Sequence, residues 1–415
     1  MSARFQPPAL QVRTFRWYWL AQWPVLIGTW MQIVALGYFV LQVTHSTTAV
    51  SVVAAADGVP AVLLSVSGGV LADRFPRRRI LLVTQTILGI SSASLGILAL
   101  SGRAGFWSIL AVAVIFGSAD ALDLPTRQAL VGDLVERGTI MNAVALASVA
   151  MSASRIVGPS LAGLLIAWIG PGACFLWLAF SYLGPLAVLV TVIPDIQPIA
   201  RERRSAASES LHAVIDALRD PLVRPLLVCA STLSFLGVSY MPFLPVYATT
   251  VLHADSRVLG LLYTTGGVGG LAAALIIATL ARGPQRVRML LGGGVVYAAS
   301  LFTLSHAGVL AVSLPALVGI SFGFLAMNTS MQTLVQTETD PAMRGRLLGV
   351  YALVFAGLQP LGTLTYGIAS HVVPLFDAIG VGGLLVGASA VFAATRPSLR
   401  MLTPHADAAA LVEGA

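Results

Sequence analysis

Five ionisable residues interrupt stretches that are otherwise apolar: Asp57, Asp120, Asp123, Arg127 and Arg155. Asp123 and Arg127 stand four residues apart, so on a helix they share a face and can pair. Arg155, in the next apolar stretch, is expected to complete a network with them. Asp57 has no evident basic partner, which makes it the first choice for a carboxylate that titrates or meets a cationic substrate. Charge in apolar surroundings is costly and marks function by default. The chemistry open to these groups is proton exchange. A carboxylate's hold on its proton answers both to burial and to a neighbouring arginine, and a cavity that opens and closes shifts that balance.

Other chemistry finds little support. His45, His212, His253, His306, His371 and His405 are scattered, with no H-E-x-x-H or Cys/His cluster, and Cys174 and Cys229 are isolated thiols in apolar runs. No metal site or cofactor is indicated, no G-x-x-x-x-G-K-[ST] loop exists to hold ATP, and no catalytic constellation points to an enzyme.

The elements that must carry the five charges are membrane spans. Hydrophobic residues make up 57% of the 415-residue chain and charged residues only 10%, with a mean hydropathy of +0.87. Soluble chains carry about 25% charged residues. Apolar runs of the length that crosses a ~30 Å hydrocarbon core are expected at 15–38, 48–71, 80–101, 106–127, 142–167, 174–193, 223–246, 258–281, 288–305, 309–332, 346–368 and 377–396. The chain therefore reads as an all-α protein of twelve transmembrane helices.

All 24 basic residues are arginine, giving a net charge of +7. Their distribution excludes a nucleic-acid surface and fixes a topology instead. With the amino end inside, 21 of the 24 fall in cytoplasmic segments, only Arg103 and Arg257 fall outside, and Arg155 lies within a span. Both termini are thus predicted to be cytoplasmic. Absence of lysine with abundant alanine and arginine points to a bacterium of GC-rich genome and to its inner (plasma) membrane.

The longest polar segment, about Pro194 to Pro221, contains Arg201, Glu202, Arg203 and Arg204 and an amphipathic stretch from Ser208 to Arg219. It separates an expected N-terminal six-helix bundle (1–193) from a C-terminal one (223–396), with a cytoplasmic linker at 194–222 and a cytoplasmic tail at 397–415. A shift of 204 positions brings Gln128-Ala129-Leu130-Val131 onto Gln332-Thr333-Leu334-Val335, Glu136 onto Asp340, Gly158 onto Gly362 and Gly163 onto Gly367. Parallel repeats of this kind belong to transporters whose substrate site lies near the bilayer midplane. Trp30, Gln32, Tyr240, Tyr263, Asn328, Gln332 and Gln359 are candidate cavity groups for an amphipathic substrate.

After the second span comes Gly69-Val70-Leu71-Ala72-Asp73-Arg74-Phe75-Pro76-Arg77-Arg78-Arg79. It resembles the signature loop of the major facilitator superfamily, G-x-L-A-D-R-x-G-R-R, with Pro76 in place of a glycine. Asp73 at a helix end can dock on the amino terminus of another helix, whose exposed N–H groups are partly positive. The expected partner is the start of span eleven, near Arg344 and Arg346, making Gly69, Asp73, Arg74, Arg77 and Arg78 a conformational latch. In span five, Arg155-Ile156-Val157-Gly158-Pro159-Ser160-Leu161-Ala162-Gly163 resembles the antiporter motif of exporters in that superfamily, with Ala162 replacing a closing glycine. Gly158, Pro159 and Gly163 would let helices approach closely and bend the span.

The runs Phe15 to Gln22, Ile27 to Gln32 and Ala121 to Ala129, with Arg155 before Gly158-Pro159, are similar to the branch holding enterobactin-type siderophore exporters and macrolide efflux pumps. The resemblance implies a monomer that exports a small amphipathic molecule by proton antiport, through alternating access of two bundles in the lipid bilayer. Import of a metabolite by the same fold is the alternative.

Overall fold

The computed structural model describes residues 7–194, 215, 217–280 and 285–400, with the side chains of 61–62, 65–74, 278–280 and 341–342 outside the description. Among the described residues the chain is helical throughout. Twelve long segments follow one another: α1 (Arg13–Thr44), α2 (Thr47–Arg74), α3 (Arg77–Ser101), α4 (Phe106–Asp133), α5 (Ile140–Trp168), α6 (Pro171–Thr191), α7 (Val223–Val251), α8 (Ser256–Leu280), α9 (Arg286–His306), α10 (Leu310–Glu338), α11 (Pro341–Ala369) and α12 (Leu375–Ala394). Eleven of them are long and apolar enough to cross a bilayer, at 20 to 32 residues, and α2, with 28 residues, falls within that range. Helices are the form a chain can take in hydrocarbon because every backbone N–H and C=O finds its partner within the segment. The expected linker and tail lie largely outside the described residues.

By contacts the chain divides into one unit of residues 1–203 and 242–264 and another of residues 204–241 and 265–415. In the first, α2 packs along α4, α3 against α4 and α6, and α1 against α5 and α6. Phe15, Tyr18, Leu81, Leu130, Leu134, Ala143 and Leu189 form its core at the arginine-rich end. A short turn ahead of α1, Pro8–Gln11, seals that end: Ala9 is buried and its amide donates to Asn142 Oδ1 at 3.1 Å.

In the second unit α9 lies between α10 and α12. Small residues set these distances, as in membrane bundles generally. A β-carbon on Gly323 would come within 2.6 Å of the Gly293 carbonyl oxygen, so only glycine allows the crossing.

The segment α7 departs from a regular helix. It runs as α-helix over Val223–Thr232, as a π-turn over Leu233–Gly237, as 3₁₀-helix over Val238–Phe243 and as a second π-turn over Tyr247–Val251. Pro242 and Pro245 withhold two amide donors from this stretch and force the ladder out of register. Irregular backbone at membrane depth persists where protein satisfies it, and α11 does so. Tyr366 Oη donates to the Leu236 carbonyl at 2.8 Å, and Thr363 Oγ1 to that of Ser239 at 3.4 Å. Ser239 Oγ in turn donates to the Gln359 carbonyl at 2.9 Å. Gly362 lies so near that a β-carbon there would stand 1.7 Å from the Phe235 carbonyl oxygen.

Candidate functional site: a polar cleft in the first unit

Helix α4 carries three of the five charges, Asp120, Asp123 and Arg127, on neighbouring turns. Asp123 is 1% exposed. Its Oδ1 accepts a hydrogen bond from Thr84 Oγ1 of α3 at 2.9 Å, and its Oδ2 lies 3.3 Å from Arg127 Nε, one turn on. Arg127 reaches α1 as well, donating from Nη1 to Gln22 Oε1 at 3.3 Å. One carboxylate and one guanidinium thus tie α1, α3 and α4 together. Breaking such a buried pair by removing one partner costs about 3–5 kcal/mol.

Tyr18 and Gln22, four residues apart, share the face of α1 that meets this pair. Tyr18 Oη, Gln22 Nε2 and the amide of Gln85 are buried together, with the Gln22 and Gln85 side chains beside the Tyr18 hydroxyl. Gln22, Tyr18 and Arg127 line a cleft of about 600 Å³ between α1, α4 and α5. Its other walls are Phe15, Trp19 and Leu26 of α1, Leu124, Gln128 and Val131 of α4, and Val144, Ala147, Ser148, Ala150, Met151 and Ser152 of α5. The volume falls within the roughly 300–1,000 Å³ of small-molecule pockets.

The remaining expected site residues take other places. Arg155 stands over Trp30, its Cζ 5.3 Å from the ring centroid, within cation–π range. Asp120 is half-buried on α4 one turn beyond Gly117, and Gly117 abuts the backbone of Asp57 on α2, so the two carboxylates belong to the same α2–α4 crossing. Gln32 accepts from Ser92 Oγ at 3.1 Å within the first unit. Asn328 accepts from Tyr351 Oη at 2.6 Å in the second. Tyr240 and Tyr263 are buried, and Gln332 and Gln359 half-buried. None of the seven cavity candidates lines the cleft.

Of the latch residues, Gly69, Asp73 and Arg74 fall in the part of α2 whose side chains lie outside the described residues. Arg77 pairs with Asp133 and donates to the Ala129 carbonyl at 3.1 Å, at the end of α4. Arg78 donates to the carbonyls of Leu189 and Val190 at 2.6 and 3.0 Å. Both arginines satisfy helix C-termini, where carbonyls lack partners and the dipole favours cations. In α5, a β-carbon on Gly158 would lie 2.6 Å from Trp30 Cβ and one on Gly163 2.9 Å from Gly260 Cα. Beside that second approach Ser160 Oγ meets Thr264 Oγ1 at 2.7 Å and Ser256 Oγ donates to the Gly163 carbonyl at 3.2 Å.

Tyr18, Gln22 and Thr84 were not among the expected site residues. Lone polar residues in apolar runs give no periodic signal. The four-residue spacing of Tyr18 and Gln22 on one helical face was the available hint.

Comparison with known proteins agrees with this architecture. The sequence profile of the family described as transmembrane secretion effectors matches residues 3–413. The staphyloferrin A transporter of Staphylococcus aureus is 24% identical over 89% of this chain and 92% of its own. The enterobactin exporter EntS of Citrobacter koseri is 26% identical over 90% and 91%. The multidrug efflux pump Tap of Mycobacterium tuberculosis is 27% identical over 92% and 93%. Among solved structures, the nucleoside transporter NupG superposes with a TM-score of 0.74 at 12% identity, covering 94% of this chain and all of the other. The human organic anion transporter MFSD10 gives 0.64 at 16% identity, with 94% of this chain covered. At such identities the structural likeness concerns the fold alone.

Proposed function

Because the chain belongs to the transmembrane secretion effectors of the major facilitator superfamily, we propose that it exports a small amphipathic molecule by proton antiport through alternating access. The observation that carries this reading is the Asp123–Arg127 pair, whose guanidinium forms part of the cleft wall while its carboxylate is shielded behind it. Protonation of Asp123 removes the charge that holds Arg127, so the cleft wall and the proton are linked through one side chain. A substrate that engages Arg127 competes with Asp123 for it, and binding of one then favours release of the other.

In this reading the arginine-rich end faces the cytoplasm of a bacterial cell, both termini are cytoplasmic, and the monomer's two six-helix bundles, 1–193 and 223–396, are joined by the segment 194–222. Asp57 and Asp120 form a second carboxylate group at the α2–α4 crossing, available to the coupling proton or to a cationic substrate. The export direction is supported by relatives described as an exporter and as an efflux pump.

The test is efflux of a panel of macrolides, dyes and catechol siderophores from a pump-deficient bacterial host, with and without a protonophore. The wild type is compared with Asp123→Asn and Asp57→Asn. Protonophore-sensitive efflux by the wild type that is lost in Asp123→Asn is the expected outcome. Efflux that persists in both variants would overturn the role given to these carboxylates.

A further inference from the structure

In the second unit the π-turn Leu233–Gly237 of α7 is held from α11. Tyr366 Oη donates to the Leu236 carbonyl at 2.8 Å, and the Phe235 carbonyl lies against Gly362. A second tyrosine reaches the same turn from α9. A β-carbon on Gly237 would stand 3.0 Å from Tyr297 Oη and 3.3 Å from its Cε1. The Tyr297 side chain is 1% exposed, and its hydroxyl closes no hydrogen bond. Two hydroxyls thus meet neighbouring residues of one turn, and only one has an acceptor. Burying an unpaired hydroxyl is costly, and native structures seldom do so without cause.

The backbone of α7 supplies a cause. Its π-turn is under-wound and the 3₁₀ stretch that follows, Val238–Phe243, is over-wound, so the two can relax together into α-helix with little displacement of the ends. At six residues the 3₁₀ stretch is already longer than such helices usually run. A regular helix here would have one defect. Pro242 carries no N–H, so the Val238 carbonyl, one turn before it, would lack its donor. Val238 directly follows Gly237, where the Tyr297 hydroxyl stands. We infer that α7 has two forms, an irregular one fastened by Tyr366 and a regular one fastened by Tyr297, with Tyr297 positioning the helix in the second. The alternating-access reading gives this exchange its use, as a movement of α7 during the cycle; the exchange itself needs no substrate.

Amides of the stretch open as one form passes into the other, so the test is hydrogen exchange of the purified protein in detergent. Peptides covering Leu233–Met241 are compared with peptides of α4. Tyr297→Phe removes the hold on the regular form and is expected to slow exchange of the stretch about tenfold, the value of one hydrogen bond. Tyr366→Phe removes the hold on the irregular form and should speed it by a similar factor. Melting separates this from a packing role: Tyr297→Phe should leave the melting temperature level or raise it, because an orphaned hydroxyl is lost, whereas Tyr366→Phe should lower it. Unchanged exchange in Tyr297→Phe, shifts of the same sign in both variants, or a melting temperature lowered by Tyr297→Phe would overturn the proposal. Opposite shifts in a protein that exports nothing would leave the two forms standing and overturn the export reading.

Discussion

Helices α4 and α10 are related by the internal repeat, yet they use the same positions differently. A shift of 204 carries Asp120 onto Phe324, Asp123 onto Met327 and Arg127 onto Met331. Where α4 holds an ion pair, α10 holds two fully buried methionines. The ends of these helices are alike. Arg77 at the start of α3 pairs with Asp133 at the end of α4, and Arg286 at the start of α9 pairs with Glu338 at the end of α10, 3.6 Å away. End-to-end pairing is therefore part of the scaffold that both halves share. Buried charge is not, since apolar side chains fill the same place in the second half. Replacing a buried ion pair with well-packed apolar groups is often neutral or stabilising, so the pair in α4 is kept for something other than packing.

The comparison breaks most sharply if charge is moved out of α4. Asp123→Leu leaves Arg127 buried without its partner and is expected to cost about 3–5 kcal/mol in thermal melting of the purified protein, with transport lost. Asp123→Met/Arg127→Met, which copies α10, should recover most of that stability and none of the efflux. Transport by this double variant would mean that the two helices differ only in packing.

Close approach tests the other repeat-related pair. Gly362→Ala drives a methyl group into the Phe235 carbonyl and should cost about 1–3 kcal/mol. Gly158→Ala should cost less, because its nearest approaches, 2.6 Å to Trp30 Cβ and 2.8 Å to the Ile27 carbonyl oxygen, are longer than that of Gly362. The order of the two melting temperatures checks this. Tyr366→Phe deprives the Leu236 carbonyl in α7 of its donor, at about 1 kcal/mol in the same assay. Smallest of all, Arg77→Gln and Arg286→Gln should each change stability by under about 1 kcal/mol, as partly exposed pairs do, and by equal amounts. A large loss in one alone would show that the scaffold ends are not equivalent.

The twelve spans were legible because a bilayer imposes length and apolarity on each. The Asp123–Arg127 pair was legible because i,i+4 spacing on one helix is a local property. The contact of Arg155 with Trp30 was not: Trp30 lies on another helix, and no spacing in the chain records which ring a guanidinium will meet. The irregular register of α7 is not legible in the chain either, although Pro242 and Pro245 stand in it, because proline is common in membrane helices and does not announce a π-turn. The cleft was the least visible feature. Tyr18 and Gln22 matter through what surrounds them, and that is fixed only once α1, α4 and α5 have packed.

The backbone contact of Gly163 with Gly260 has an electrical consequence. Where two main chains touch with no side chain between them, there is no room for a file of water, and a proton has nothing to hop along. A membrane holds about 2.3 kcal/mol per elementary charge for each 100 mV across it. In the proton-antiport reading, a crossing that excludes water is insulation, which keeps the carrier from discharging the gradient it spends.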